Sequence, residues 1–319
     1  MMKKLLSVLL VVLSLHAHAF VVYGHRGARG LAPENSIPSV DVALENHVDA
    51  IDVDVVLTKD GVVVAYHDLT LNPDITRDKY GRWLRRNDMA VKELTFAETQ
   101  AYDVGRIRPG TAYAAMFKDQ KGYDHIAIPE LKALIQYVKR HATYPVGFQI
   151  EIKTDPTHPD ISASPEDIVP ALNQVIIDEG IEDRAKIQAF DWYCLYLMKV
   201  LNPRVETAFL SDVDTTTEMQ NDDEALAGSW TGGYLLKDYH DSVPEMIQAL
   251  GGSWWDSEAY QLTNEQVEEA HNYGLKVAAW FCLECTGESD ANPELFEKLI
   301  EMNVDGIITD RPDVLISML

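Results

Sequence analysis

From Phe20 onward the chain alternates short β-rich runs with amphipathic helical stretches, and this cadence restricts its fold more than any other feature of its 319 residues. The runs are FVVYG (20–24), DAIDVDVVL (49–57), PVGFQIEIK (145–153), KIQAFD (186–191), VETAFL (205–210), GGSWWD (251–256), KVAAWF (276–281) and DGIITD (305–310). Between them lie helical patterns such as IPELKALIQYVKRH (128–141), PEDIVPALNQVIIDEG (165–180), TNEQVEEAHNYG (263–274) and NPELFEKLIEMN (292–303), several ending in Gly or Asn as helix C-termini do. Eight β/α units in a chain of this length predict the α/β class and a (β/α)₈ TIM barrel. The cadence lapses between His67 and Ile128, a stretch too long for a structureless loop. Residues 69–127 are therefore read as an ordered insertion after strand 2, beside the mouth of the barrel.

Polar residues fall at one end of this pattern. His25, Asp52, Asp54, Glu151, Lys153 and Asp310 lie within or just past the late part of predicted strands, the end at which barrels carry chemistry. Turn-forming residues at strand exits explain any one of them. They explain the set poorly, because Asp52 and Asp54 leave one face of a strand and Glu151 and Lys153 share another. Buried carboxylates cost several kcal/mol unless a cation, a metal or open water meets them.

The bulk properties narrow the class. MMKK, the apolar run Leu5–Leu15 and small residues at Ala17 and Ala19 have the three regions of a secretory leader, so 1–19 is expected to be a signal peptide and the product to be exported, periplasmic or secreted. The apolar run is too short to span a bilayer, and no stable membrane anchor is expected. Loss of Lys3 and Lys4 would take the formal charge from −24 to −26, a poor surface for nucleic acid. Three cysteines, Cys194, Cys282 and Cys285, do not make a disulfide framework; the C-x-x-C of Cys282 and Cys285 is compatible with free thiols or one bridge, and a zinc site would need partners its neighbourhood does not offer. GHRGARG lacks the dinucleotide spacing, and no P-loop or G-x-S-x-G elbow is present.

The stretches GHRGARGLAPENS, DAIDVDVVLTKDGVVVAYHD, FQIEIK, IQAFD, LKVAAWF and VDGIITDRPD, in this order, resemble the glycerophosphodiester phosphodiesterase family of the phosphatidylinositol phospholipase C-like barrel superfamily. The resemblance covers 20–319 and implies metal-dependent hydrolysis of glycerophosphodiesters to sn-glycerol 3-phosphate and an alcohol. It implies His25 and His67 as general acid and base, a task neutral imidazole suits. Positions 52, 54 and 151 match three acidic metal ligands, and oxygen donors suit one divalent cation, Ca²⁺ or Mg²⁺. Position 52 departs from the pattern, being Asp where the family has Glu. Arg26 and Lys153 match phosphate-binding residues. Glu34, Gln188 and Phe190 are candidates to support the site, and Trp280 to line the alcohol pocket.

The nearest alternative is a lysophospholipase D or phospholipase C-like enzyme acting on lipid, which would need an apolar docking face on 69–127. A second alternative is a non-catalytic phosphodiester-binding protein. The sequence leaves the preferred headgroup, the cation, the oligomeric state and the division of labour between the two histidines open.

Overall fold

The computed structural model describes residues 20–221, 223–283 and 292–319. The leader and Cys285 lie outside the described residues. Nine strands form: β1 (Val21–Gly24), β2 (Ala50–Leu57), β3 (Val63–Ala65), β4 (Gly147–Ile152), β5 (Ala185–Ala189), β6 (Glu206–Ser211), β7 (Trp254–Glu258), β8 (Lys276–Trp280) and β9 (Gly306–Thr309). All of them except β3 run parallel in the order β1-β9-β8-β7-β6-β5-β4-β2, and β2 closes the ring by pairing with β1. This is the eight-stranded (β/α)₈ barrel the cadence predicts, and each of the eight runs supplies one barrel strand.

The period of two sorts the side chains. Ile51, Val53, Val55, Phe148, Ile150, Ile152, Ile187, Phe209, Val277 and Ile307 are buried in the shared core between ring and helices. The alternate positions point into the ring. There Tyr23, Ala50, Ala208, Trp254, Ala278 and Ile308 make a small apolar cluster, and Asp52, Asp54, Gln149, Lys186, Gln188 and Asp256 are buried as well. The string IDVDV thus divides into an aliphatic face that meets helices and an acidic face that meets the lumen.

Local signals set the helix ends. Ser164 caps Pro165–Glu179 through the Asp167 amide, and Gly180 ends it at φ 60°. Ser36 caps Ile37–Glu45 in a reciprocal pair with Ser39. Among the described residues no helix is long and apolar enough to cross a membrane.

The segment after β2 departs from the barrel rhythm for a geometric reason. β1 pairs only with Ala50 and Ile51, so the far half of β2 has a free edge, which β3 takes antiparallel at Val55–Leu57. The chain leaves β3 at the mouth, delivering His67 there. Beyond it, Leu71, Ile75, Val91, Val104 and Ile128 pack with Val56, Val64 and Tyr66 in a cluster of their own. Short helical turns at Val91–Glu93, Phe96–Thr99 and Ala112–Met116 and bridges at Thr70–Ala90, Arg77–Trp83 and Arg77–Asp103 complete the segment. Its apolar side chains face inward; Tyr80 is its one exposed large hydrophobic residue among those described.

Candidate active site

The mouth holds a cavity of about 360 Å³ lined by His25, Arg26, Arg29, Glu34, His67, Asp68, Asn72, Tyr113, Glu151, Lys153, Gln188, Phe190, Leu210, Asp212, Trp280, Phe281, Cys282 and Ile308. The structure brings nine of the eleven expected site residues to its wall, while Asp52 and Asp54 lie just beneath, fully buried on β2.

The loop after β1 is wound tightly. Arg26 takes φ 49° and Gly27 φ 86°. A Cβ on Gly27 would meet Ser39 Oγ at 2.3 Å, so the turn packs against the helix Ser36 starts. This winding places His25, Arg26 and Arg29 on the cavity side.

Each histidine is held through Nδ1. His25 Nδ1 lies 2.7 Å from Asp310 Oδ1 at the exit of β9, and His67 Nδ1 lies 2.6 Å from Asp68 Oδ1. A carboxylate only accepts, so Nδ1–H donates and Nε2 is left for the cavity. Asp310 is clamped from behind by Arg29, whose Nε and Nη2 donate to its two oxygens at 2.9 and 2.8 Å. Asn72 Nδ2 donates to Asp68 Oδ2 at 2.7 Å. Burial pushes both imidazoles below their ordinary pKa; Arg29 and Arg26 add to this at His25, Arg26 and Lys153 at His67, against the pull of the nearby carboxylates. Burial would raise Asp68, yet its bond and attraction to His67 bring it to about 2. Asp310 is held well below the carboxylate range because Arg29 and His25 outweigh its burial.

The acids and cations interlock. Arg26 Nη1 donates to Glu34 Oε1 at 2.9 Å, and its Nε is 3.2 Å from Asp54 Oδ2. Lys153 Nζ pairs with Glu151 and stands 3.3 Å from Asp54 Oδ1. Asn35, at φ 52°, grips Asp54 twice: its Nδ2 donates to Oδ2 at 2.7 Å and its Oδ1 accepts the Asp54 amide at 3.0 Å. In PENS the three polar residues divide the work, since Ser36 caps the helix, Asn35 fixes Asp54, and Glu34 holds Arg26 and accepts from the Tyr113 hydroxyl. Asp52 Oδ1 accepts the Arg26 amide at 3.3 Å, and its Oδ2 accepts Gln188 Nε2 at 2.5 Å. On the opposite wall Phe190 and Trp280 meet edge to face, 5.6 Å between centroids.

The donor chemistry fits a hard divalent cation. Seven carboxylates, Glu34, Asp52, Asp54, Asp68, Glu151, Asp212 and Asp310, line or underlie a cavity that has three permanent cations, Arg26, Arg29 and Lys153. Burial and repulsion from Asp54 and Glu151 raise Asp52 well above the carboxylate range. Burial lifts Glu151 to about 7 despite Lys153. Asp54 Oδ1 is buried and accepts no hydrogen bond, and Lys153 and Arg26 overcome its burial to hold it low. Among the described residues no three acidic, His or Cys side chains stand in a ready coordinating arrangement; Lys153 bridges Glu151 and Asp54, and Gln188 engages Asp52.

Several contributors were not singled out from sequence. Asp310 was visible as an acid at a strand exit without a partner to give it a role. Arg29, Asp68 and Asn35 carried no signal beyond their neighbours in HRGARG, YHD and PENS, and Tyr113 none within the insertion; the partners of Arg29 and Tyr113 lie 281 and 79 positions away.

The family model for the "Glycerophosphoryl diester phosphodiesterase family" matches residues 25–314. A crystal structure from Silicibacter pomeroyi, of a protein assigned as a glycerophosphoryl diester phosphodiesterase, superposes with TM-score 0.80 at 31% identity, covering 95% of each chain. An Oleispira antarctica phosphodiesterase, solved with its product sn-glycerol-3-phosphate, superposes with TM-score 0.66 at 21% identity over 93% of this chain and 95% of its own. The glycerophosphodiester phosphodiesterase of Caldanaerobacter subterraneus is 25% identical over 93% of this chain and 97% of its own.

Proposed function

The chain belongs to the glycerophosphoryl diester phosphodiesterase family, a family of phosphoric diester hydrolases, and from that premise we propose that it cleaves small glycerophosphodiesters to sn-glycerol 3-phosphate and an alcohol, using His25 and His67 as acid and base and one bound divalent cation. The observation that carries the reading is the pairing of each imidazole with its own carboxylate at one cavity, which leaves two Nε2 atoms for proton transfer.

Asp52, Asp54 and Glu151 would hold the cation, which supplies positive charge to the phosphate in a site where carboxylates outnumber fixed cations. Lys153 and Arg26 face the same space and would orient the nonbridging oxygens. One histidine takes the proton of the attacking hydroxyl, the neighbouring glycerol hydroxyl in the first step. The other, an imidazolium with its second proton on Nε2, gives that proton to the leaving alcohol. Water then opens the cyclic phosphate with the two roles exchanged. Phe190 and Trp280 offer the leaving alcohol an apolar wall.

The test is release of glycerol phosphate by purified, metal-stripped protein. Activity should be absent after chelation and return with Ca²⁺ or Mg²⁺. Absence of glycerol phosphate with every cation and glycerophosphodiester tried would overturn the reading. The lipid alternative draws no support from 69–127, where apolar side chains pack inward.

A further inference from the structure

Beneath the mouth, a line of polar side chains occupies barrel space that aliphatic layers ordinarily fill. Lys186 Nζ lies 3.5 Å from Asp256 Oδ2, donates to the Tyr23 hydroxyl at 2.9 Å, and sits 3.7 Å from the Trp254 ring centroid. Gln149 Nε2 donates both to Asp256 Oδ2 at 3.2 Å and to Gln188 Oε1 at 2.5 Å. Gln188 Nε2 donates onward to Asp52 Oδ2 at 2.5 Å. Every member is more than nine-tenths buried, so water cannot substitute for a missing partner.

We infer that Gln149 and Asp256 are positioning residues for the active site: the floor of the barrel fixes which end of the Gln188 amide faces Asp52. A glutamine amide has a donor end and an acceptor end of nearly equal shape, and turning it by half a revolution exchanges them. Asp256 removes the choice at the bottom of the line, since a carboxylate paired with a lysine only accepts. Gln149 must therefore present its NH₂ to Asp256. The second hydrogen of that group is directed to Gln188, whose oxygen must then point down and whose NH₂ must point up. Against the ionised Asp52 that holding a cation requires, the reverse orientation would set the Gln188 oxygen against a carboxylate oxygen in a dry interior, where two acceptors repel. Asp52 would then keep only the Arg26 amide.

The inference rests on the proposed reaction for its kinetic readout alone. Gln149→Met keeps the volume and removes both donations. In the folded variant kcat should fall about 10- to 100-fold with KM little changed. The Gln188 side-chain amide signals in a ¹⁵N–¹H spectrum, assigned by their loss in Gln188→Met, should shift and lose protection from hydrogen exchange. Unchanged kcat and unchanged Gln188 signals would overturn the inference. Should Gln149→Met fail to fold, the double variant Lys186→Met/Asp256→Asn neutralises the floor pair together and frees the amide direction. The same spectral change is expected there, and its absence is equally decisive. Wild-type protein inactive on every glycerophosphodiester would sink the proposed function, while the amide signals would still decide the positioning role.

Discussion

Both catalytic candidates are held at Nδ1 by an aspartate, and that choice of ring nitrogen leaves the same atom, Nε2, free on each. Burial lowers the pKa of both rings and so favours the proton-accepting form of either; the ring that acts as acid must carry a second proton, on Nε2. His25→Ala and His67→Ala should each lower kcat by about 10²- to 10⁴-fold with melting temperature nearly unchanged, since both side chains sit at the cavity edge rather than in the core. Full turnover in either variant would remove that histidine from the reaction. Asp310 is a different kind of residue, clamped by the wholly buried Arg29. Asp310→Asn removes the carboxylate that neutralises that buried guanidinium and should cost about 3–5 kcal/mol at pH 7. The folded pKa of Asp310 lies below its unfolded value of about 3.9, so its contribution is present above that pH and lost as pH falls toward the folded value. The gap between wild type and variant in urea unfolding should therefore narrow below pH ~4; a constant gap from pH 7 to pH 3 would contradict the assignment.

At the scale of the element, the first β/α connection is built around close approach rather than around side chains. Gly24 and Gly27 both sit where an added Cβ would strike the loop or the following helix; at Gly24 it would come 2.1 Å from the Gly27 carbonyl oxygen. Gly27→Ala should cost at least about 2 kcal/mol, from left-handed strain together with collision against Ser39. It should also lower activity by displacing Arg26, which the same turn carries. Unfolding midpoints and turnover of the variant check both, and a neutral effect on each would mean the turn relaxes freely. Much of this element was legible as GHRG followed by PENS. The positive φ of Asn35 and its double grip on Asp54 were not, because they depend on β2 lying alongside.

On the scale of the whole molecule, the insertion and the barrel meet at Tyr113, whose hydroxyl donates to Glu34 and accepts from Arg29 Nη1 at 3.3 Å. Glu34 in turn holds Arg26, so a residue from the insertion steadies a cavity-facing cation on the barrel. Tyr113→Phe removes both hydrogen bonds of that hydroxyl and should raise KM about 5-fold with little change in kcat. Steady-state kinetics on a glycerophosphodiester test this, and an unaltered KM would leave Tyr113 without a part in binding.

What the sequence determined by itself was periodic or local. The alternation of runs fixed the barrel, because a chain of β/α units buries its apolar faces in few other ways. The same period put Asp52 with Asp54, and Glu151 with Lys153, on inward faces. Caps such as Ser36 and Ser164 were written in a few neighbouring residues. Tertiary structure alone decided the partners: Asp310 with His25, Arg29 with Asp310, Tyr113 with Glu34, and the line from Lys186 through Gln149 to Asp52. Tyr113 with Glu34 joins the insertion to the first connection, and the other pairs join strands or strand exits that are neighbours, or face one another, only once the ring closes. Hydrogen bonds depend on atoms a few ångströms apart, whereas sequence spacing constrains only where each strand's side chains point. The shorter Asp52 shows the difference, since its residue type was plain from the start. That it is met by Gln188 and by the backbone of Arg26 follows only from barrel closure.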